Sequence, residues 1–406
     1  MKRQTAEIKY PYGQGRANKE VEYEMIDGKL VQRMVSASRF PWLFQWSPSR
    51  SWEYEPFVKK TRFQGLSRTF LVFSVVTLLV FVLSHFARLD ILMLATIYPV
   101  FSWLVVGLFL TVWVVAYPRV RWGLVVAWVA CVLLASDSPQ NLIRAWIPPT
   151  EALPETLVGS DEDALPVRVV SLNCKGEPAA VSELVKLSPD VILLQESVHQ
   201  KQLQKLVHES FPSYTAVGSG DATMLVRGTV QPFQASHKKL APRYEFCRVR
   251  LANGALFNAV SVHLQASPRE FDFSRLAIWQ TFAELKQVRR QQLHDIHSDV
   301  MQRVGDTPTV IGGDFNAPAG DQIYDVLERE FRDSWAEAGR GWGKTSLNNY
   351  PVHRIDQVWI TRQFAAKNVT AEESSGSDHR MVVCDLWLKQ PKQVTVASNN
   401  VGHKVR

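Results

Sequence analysis

Residues 307–316 read TPTVIGGDFN, a short β-branched run that ends in two glycines, a carboxylate and an amide. Such a run suits a buried strand, and its ending puts Asp314 and Asn316 where a sheet presents functional groups. The same arrangement recurs through residues 167–388. VRVVSLN closes on Asn173, DVILLQE closes on Glu196, and ALFNAVSVHL carries His263 near its end. RIDQVWIT opens on Asp356 after its first two residues, and a Ser/Gly-rich turn holds Asp378 and His379 ahead of RMVVCDLWL. ATMLVRGTV and YEFCRVRLA are also strand-like, while EPAAVSELVKL, SVHQKQLQKLVHESF and a stretch from Phe273 to Val304 have helical period. Strands following strands, with helices interspersed, predict an α/β fold on mixed sheets rather than a doubly wound parallel one. The region is long enough to bury a sizeable core.

The chain upstream is different in kind. Residues 1–68 hold 13 Lys/Arg against 7 Asp/Glu, whereas residues 151–406 hold 29 against 30. The net charge of +7 therefore belongs to the N-terminal third, and the α/β region offers no broad basic face for nucleic acid. Thr69–Ala87 is a 19-residue stretch without a formal charge, Ile91–Pro118 is one of 28 residues interrupted by Pro99, and Trp122–Ser136 is one of 15. A helix needs about 20 residues to cross a ~30 Å hydrocarbon core, so the first two qualify and the third needs its flanks. Pro139, Pro148, Pro149, Pro154 and Pro166 make the next segment read as an extended linker. The organisation expected is an N-terminal segment (1–66), a membrane region of about three helices (67–138), a linker (139–166), the α/β domain (167–388) and a basic tail (389–406). The basic N-terminus, Arg119 with Arg121, and the acidic stretch after the third span favour three spans, with the N-terminus in the cytoplasm and the α/β domain outside it. Two spans would put that domain in the cytoplasm. The aromatic-rich stretch 41–57 suits either a membrane interface or a small self-packed plug.

Composition excludes several classes. With 46% hydrophobic and 21% charged residues the chain is not disordered, and 21 Gly and 21 Pro exclude a collagen-like or low-complexity architecture. Four cysteines without a C-x-x-C pair exclude a disulfide-dense scaffold and a zinc ribbon. No repeat of solenoid or propeller period is present.

Each strand-end residue alone reads as a solvated carboxylate, a cap or a core histidine; the set is what carries chemistry. Asn173, Glu196, Asp314, Asp356 and Asp378 are hard oxygen donors with no thiolate cluster, an inventory for Mg²⁺, Mn²⁺ or Ca²⁺. His263 and His379 can hold or move protons near neutral pH, and a carboxylate such as Asp356 that orients His379 makes it a better base. Hydrolysis of a phosphate ester needs a cation against charge, a base for water and donors to the pentacoordinate phosphorus.

SLN, LLQE, SVHL, GGDFN, RIDQVWI and GSDHR, in that order, resemble the endonuclease/exonuclease/phosphatase superfamily, the fold of pancreatic-type deoxyribonuclease. The resemblance implies a four-layer α/β sandwich of two mixed sheets flanked by helices, with the site at one rim. It implies Mg²⁺ (or Mn²⁺) on Glu196, supported by Asn173 and Asp378. It further implies Asp314 orienting water or the metal-side network, Asn316 donating to phosphoryl oxygens, His379 as general base oriented by Asp356, and His263 acting on the other side of the phosphorus. The chain departs from the abasic-site endonucleases, which have an acidic residue where Lys175 stands and a Tyr where His263 falls. Membrane spans followed by such a domain resemble bacterial proteins of the teicoplanin-resistance (VanJ) type. That layout implies an inner-membrane protein whose extracytoplasmic domain hydrolyses a lipid-linked or cell-envelope phosphate. The competing expectations are an anchored nuclease, for which nucleic acid is the substrate, and a binding module that has lost catalysis.

Overall fold

The computed structural model describes residues 21–26, 29–34, 58–136, 138–148, 164–218, 220–236, 239–267 and 276–389. The stretch 41–57, most of the linker and the tail beyond Lys389 lie outside the described residues. In the N-terminal unit, β1 (Val21–Ile26) and β2 (Lys29–Met34) form an antiparallel hairpin.

The second unit begins with three apolar helices: α1 (Val58–His85), α2 (Val100–Val112) and α3 (Pro118–Ala135). Two are long and apolar enough to cross a membrane, over Phe63–His85 and Pro118–Ala135; α2 is the short one. This reverses the expectation that the second stretch qualifies outright and the third falls short. Proline explains both differences. Pro99 forces Tyr98 into the extended region (φ −81°, ψ 135°), so the long uncharged stretch splits into a 3-10 turn at Asp90–Ile97 and a 13-residue helix. Pro118 stands at the first position of α3, where its missing N–H costs nothing, and so extends that helix upstream.

The three helices pack antiparallel in sequence. The Ser67 hydroxyl accepts from the Ala116 amide, Ser74 and Thr111 share a hydrogen bond of 2.8 Å, and Phe81 meets Trp103. Trp128 lies flat against Gly107, where a Cβ would come within 2.2 Å of the indole, and its Nε1 donates to Ser74. Outward-facing side chains stay apolar: Val105, Val126 and Leu134 are 68%, 66% and 77% exposed. Residues Ser138–Trp146 form a further helix, α4, where an extended linker was expected. Pro139 falls in its first turn, which tolerates proline.

The α/β domain comprises β3 (Ala164–Asn173), α5 (Pro178–Glu183), β4 (Val191–Gln195), α6 (Gln200–Ser210), β5 (Thr215–Val217), β6 (Thr223–Val226), β7 (Gly228–Phe233), β8 (Tyr244–Leu251), β9 (Leu256–His263), α7 (Leu276–Val304), β10 (Thr309–Asp314), β11 (Phe331–Asp333), α8 (Ser334–Ala338), β12 (Asp356–Thr361), β13 (Phe364–Glu372) and β14 (Met381–Lys389). The strands make two six-stranded sheets, ordered β13-β14-β3-β4-β6-β5 and β11-β12-β10-β9-β8-β7. Both are mixed, with β3–β4 and β9–β10 parallel and their other pairs antiparallel.

Alternation along the strands builds four layers. Val167, Val169, Val191 and Leu193 of one sheet meet Phe257, Ala259, Val310 and Val358 of the other in a central core. The opposite face of the first sheet is covered by α5 and α6 through Ala180, Leu184 and Leu203. That of the second is covered by α7 through Leu293, Ile296 and Val300. The expected four-layer sandwich of two mixed sheets is therefore the observed fold.

The two glycines of the opening stretch are demanded by this packing. Gly312 lies under Leu193 of the other sheet, and a Cβ on Gly313 (φ 149°) would fall 1.9 Å from the Val262 carbonyl oxygen. Gly313→Ala should therefore lower stability by at least about 2 kcal/mol, on the order of 5 °C in the melting midpoint followed by circular dichroism.

Candidate active site

The site is the polar end of the inward-facing rows. Along β12 the inner positions run Ile360, Val358, Asp356; along β10, Val310, Gly312, Asp314; along β9, Phe257, Ala259, Ser261, His263; along β3, Val167, Val169, Ser171, Asn173. Each row passes from apolar residues to a polar one within one sandwich face. Register then aligns the ends: Asp314 is directly opposite His263 on one side and Asp356 on the other. In the facing sheet Asn173 pairs with Gln195.

Hydrogen bonds join the two sheets at this rim. The Asn173 side-chain amide donates to Asp314 Oδ2 at 3.0 Å and to Glu196 Oε1 at 3.2 Å. Deeper in, the Gln195 amide donates to the Ser261 hydroxyl at 3.1 Å. Asp314 accepts from the Asn316 backbone at 2.8 Å and from its side-chain amide at 3.2 Å, a turn that Asn316 closes with φ 52°. His379 Nδ1 donates to Asp356 Oδ2 at 2.9 Å, leaving Nε2 as the ring nitrogen that exchanges a proton. Ligand atoms of Asp314, Asp356 and His379 lie within 4.8 Å of one another.

The Endonuclease/Exonuclease/phosphatase family model matches residues 170–379, a span that takes in every one of these side chains. The chain belongs to this family. Its named activities all break phosphate-ester bonds. No curated protein matches the chain. Among solved structures, a family member from Bacteroides thetaiotaomicron is 17% identical, with a TM-score of 0.45, over 56% of this chain and 99% of that one. A mannosyl-6-phosphatase from the same organism is 17% identical, with a TM-score of 0.43, over 54% and 99%. The D. rerio protein TDP2, complexed with a single-strand DNA product, is 18% identical, with a TM-score of 0.42, over 54% and 98%.

Within this family site the electrostatics are set by two buried carboxylates side by side. Burial and the neighbouring Asp356 charge push Asp314 above the usual carboxylate range, against the pull of His379, His263 and Asn173. Burial alone would lower His379, but Asp356, by its charge and its hydrogen bond, and then Asp314 and Asp378 push it up to about 10. Without another cation the imidazolium neutralises the cluster. The donors fit a hard divalent cation. Glu196, Asp314 and Asn173 offer oxygens, Asp356 Oδ1 is buried with no hydrogen-bond partner among the described residues, and the adjacent Cys174 thiol, pushed up to about 11 by burial, offers no thiolate. Glu196 with Asn173 and Asp314 would hold that ion. The Asp314–Asp356–His379 grouping fits one less well, because His379 is charged and committed to Asp356. When bound, a divalent cation supplies charge against the phosphoryl oxygens and, on Asp314, offsets part of the carboxylate charge that raises His379.

The predicted residues fall into two groups. Asn173, Glu196, Asp314, Asn316, Asp356 and His379 form one connected network. His263 joins it by register, and its ring nitrogens have no hydrogen-bond partner among the described residues; Asp221 Oδ2 stands 3.7 Å from Nδ1. Asp378 is engaged elsewhere. Its Oδ2 accepts from Lys175 Nζ at 2.9 Å, and although burial opposes it, that bond holds the carboxyl below its usual range. Both side-chain bonds of Asn316 are made within the protein, so its amide organises Asp314 and the Leu264 carbonyl.

Three contributors were missed. Buried Thr345 accepts from the Ile355 and Asp356 amides, the Ser377 hydroxyl links the Asn173 carbonyl to the His379 amide, and Lys175 neutralises Asp378. Ser377 stands beside residues already singled out, Lys175 was noted only as a departure from the abasic-site endonucleases, and Thr345 carries no sequence signal.

The sign of the His379 shift makes a test. A raised pKa means that the Asp356 pair stabilises the fold fully below pH 6.5 and that this contribution is lost as the pH rises through about 10. In a chelator, urea midpoints should fall more steeply between neutral pH and about pH 10 for the wild type than for Asp356→Asn.

Proposed function

We propose that this chain is a membrane-anchored, Mg²⁺-dependent phosphoesterase whose substrate is a lipid-linked or cell-envelope phosphate, with water activated by His379 and Asp356. One observation carries the reading. A groove of about 740 Å³ opens beside the site, lined by Lys175, Ser377 and Asp378 and by the stretch carrying Leu347, Asn348 and Tyr350. That stretch of chain is fastened to the apolar helices. Trp342 packs on Phe101 of α2 with ring centroids 5.7 Å apart, and the His353 ring bonds the Ile97 carbonyl at 2.6 Å. Between these fastenings Leu347 (φ 64°) and Tyr350 are exposed, at 58% and 83%. The groove thus pairs an ammonium for a phosphate with apolar and aromatic side chains for what is attached to it, next to helices long enough for a bilayer.

The site residues take the following parts. Glu196 and Asn173 hold the cation, with Asp314 on their other side. Lys175 draws the phosphate to the groove wall. With a cation offsetting the Asp314 charge that helps to raise it, His379 sheds its Nε2 proton and can then take that of the attacking water, while Asp356 keeps its Nδ1 donating. His263, buried with no hydrogen-bond partner among the described residues, donates to an oxygen on the phosphorus. α1 and α3 are long enough to span, and the short α2 runs back between them, so that α1 and α3 point the same way; this supports three crossings of the inner membrane, with the N-terminus in the cytoplasm and the groove outside.

The test uses the full chain in proteoliposomes that contain a polyprenyl diphosphate, with plasmid nicking followed in parallel. Phosphate release should require Mg²⁺, stop in chelator and fall about 10²–10⁴-fold in His379→Ala. Nicking without phosphate release would make the protein an anchored nuclease instead. Neither activity, in a folded protein, would leave the binding module.

A further inference from the structure

α4 is amphipathic with its polarity reversed relative to a helix packed on a core. Ser138 and Asn141 are buried, while Leu142, Ile143, Trp146 and Ile147 are exposed, Trp146 at 90%. At 3.6 residues per turn these four side chains fall within an arc of about 140°, one continuous apolar face.

The polar side is bonded to the α/β domain. The Asn141 carbonyl accepts from the Gly341 amide at 2.9 Å, and Arg144 donates to the Ala336 carbonyl at 3.0 Å. Arg340 donates to the carbonyls of Arg144 and Ile147, capping the C-terminal end of the helix. The loop that supplies these partners is shaped for close approach. A Cβ on Gly339 or Gly343 would fall 2.4 or 2.1 Å from atoms of the buried Trp335 residue, so the chain lies flat on that indole and leads directly to Trp342 and the groove wall.

We propose that α4 lies in the membrane interface, with Ile143, Trp146 and Ile147 immersed among lipid headgroups and upper acyl chains, and that it holds the groove at the bilayer surface. The occupant follows from continuity. α4 begins three residues after α3, one of the two helices long and apolar enough to cross a membrane, so its apolar face starts where that span ends. A tryptophan at the end of a span suits the headgroup level, and a short helix with one apolar face suits the interfacial plane. The proposal rests on reading the apolar helices as membrane spans and goes further, because spans alone fix neither the tilt nor the height of the domain.

The test reads depth and needs no activity. Trp146→Cys, Val126→Cys and Lys201→Cys are made singly in a full-length Cys131→Ala background and labelled with an environment-sensitive fluorophore. The remaining thiols, Cys174, Cys247 and Cys384, are buried. In proteoliposomes the probe at 146 should be quenched by lipids carrying a shallow nitroxide and shielded from aqueous iodide. The probe at 126, on the exposed face of α3, should respond to a deep nitroxide, and the probe at 201, on exposed α6, to iodide alone. Iodide quenching at 146 equal to that at 201, with 126 still lipid-exposed, overturns the proposal and leaves the spans standing. Iodide quenching at 126 overturns the span reading and the proposal with it. Because Trp146 is exposed and makes no hydrogen bond among those described for α4, its replacement leaves the fold intact.

Discussion

Two carboxylates buried as register neighbours, Asp314 and Asp356, are the constraint around which the domain is arranged. Taking such groups out of water costs several kcal/mol each unless charge and hydrogen bonds compensate. The surrounding structure supplies the compensation. Asn173 reaches across from the other sheet to Asp314, the Asn316 turn adds two donors to the same carboxylate, and His379 answers Asp356. Thr345 ties down the backbone that delivers Asp356. An assembly held together by unlike charges and bridging both sheets fixes the two carboxylates in place above the core. Phosphoester hydrolysis needs charge stabilisation and a proton acceptor held at one place.

Most of this was legible in the sequence because strand period and polarity coincide. A strand that alternates inward and outward and ends or begins on a polar inward residue marks both its own limit and a site residue, as at Asn173, Asp314 and Asp356. Where the two signals separate, reading fails. β13 (FAAKNVTAE) carries Lys367 and Asn368 mid-strand and bulges between Ala366 and Asn368, so it shows no clean alternation. β5 and β11 are three residues long, too short for period to register. Asp378 was grouped with the metal donors by position in its motif, and only the fold shows Lys175 in contact with it. In the apolar region uncharged length was a poor guide, since two prolines decide where the helices begin.

The site and the apolar helices are joined through one stretch of chain. The Thr345 carbonyl accepts from the Arg380 amide, and the Asn348 amide donates to the Asp378 carbonyl, so the loop that carries His379 is paired to the loop held by Trp342 and His353. The same stretch begins at the glycines that meet α4. Groove wall, His379 loop and helix ends therefore share a backbone scaffold.

The brevity of α2 has a consequence for any lipid around it. Thirteen residues rise about 20 Å, roughly 10 Å less than a hydrocarbon core, while its neighbour α1 is apolar over 23 residues. A bilayer that meets helices of such unequal reach has to thin locally or let headgroups sink along the shorter one. Phe101, in the first turn of that helix, is the residue on which Trp342 rests. If the helices span a bilayer, that mismatch falls beneath the groove wall, and a lowered headgroup plane there would bring lipid phosphates towards the site.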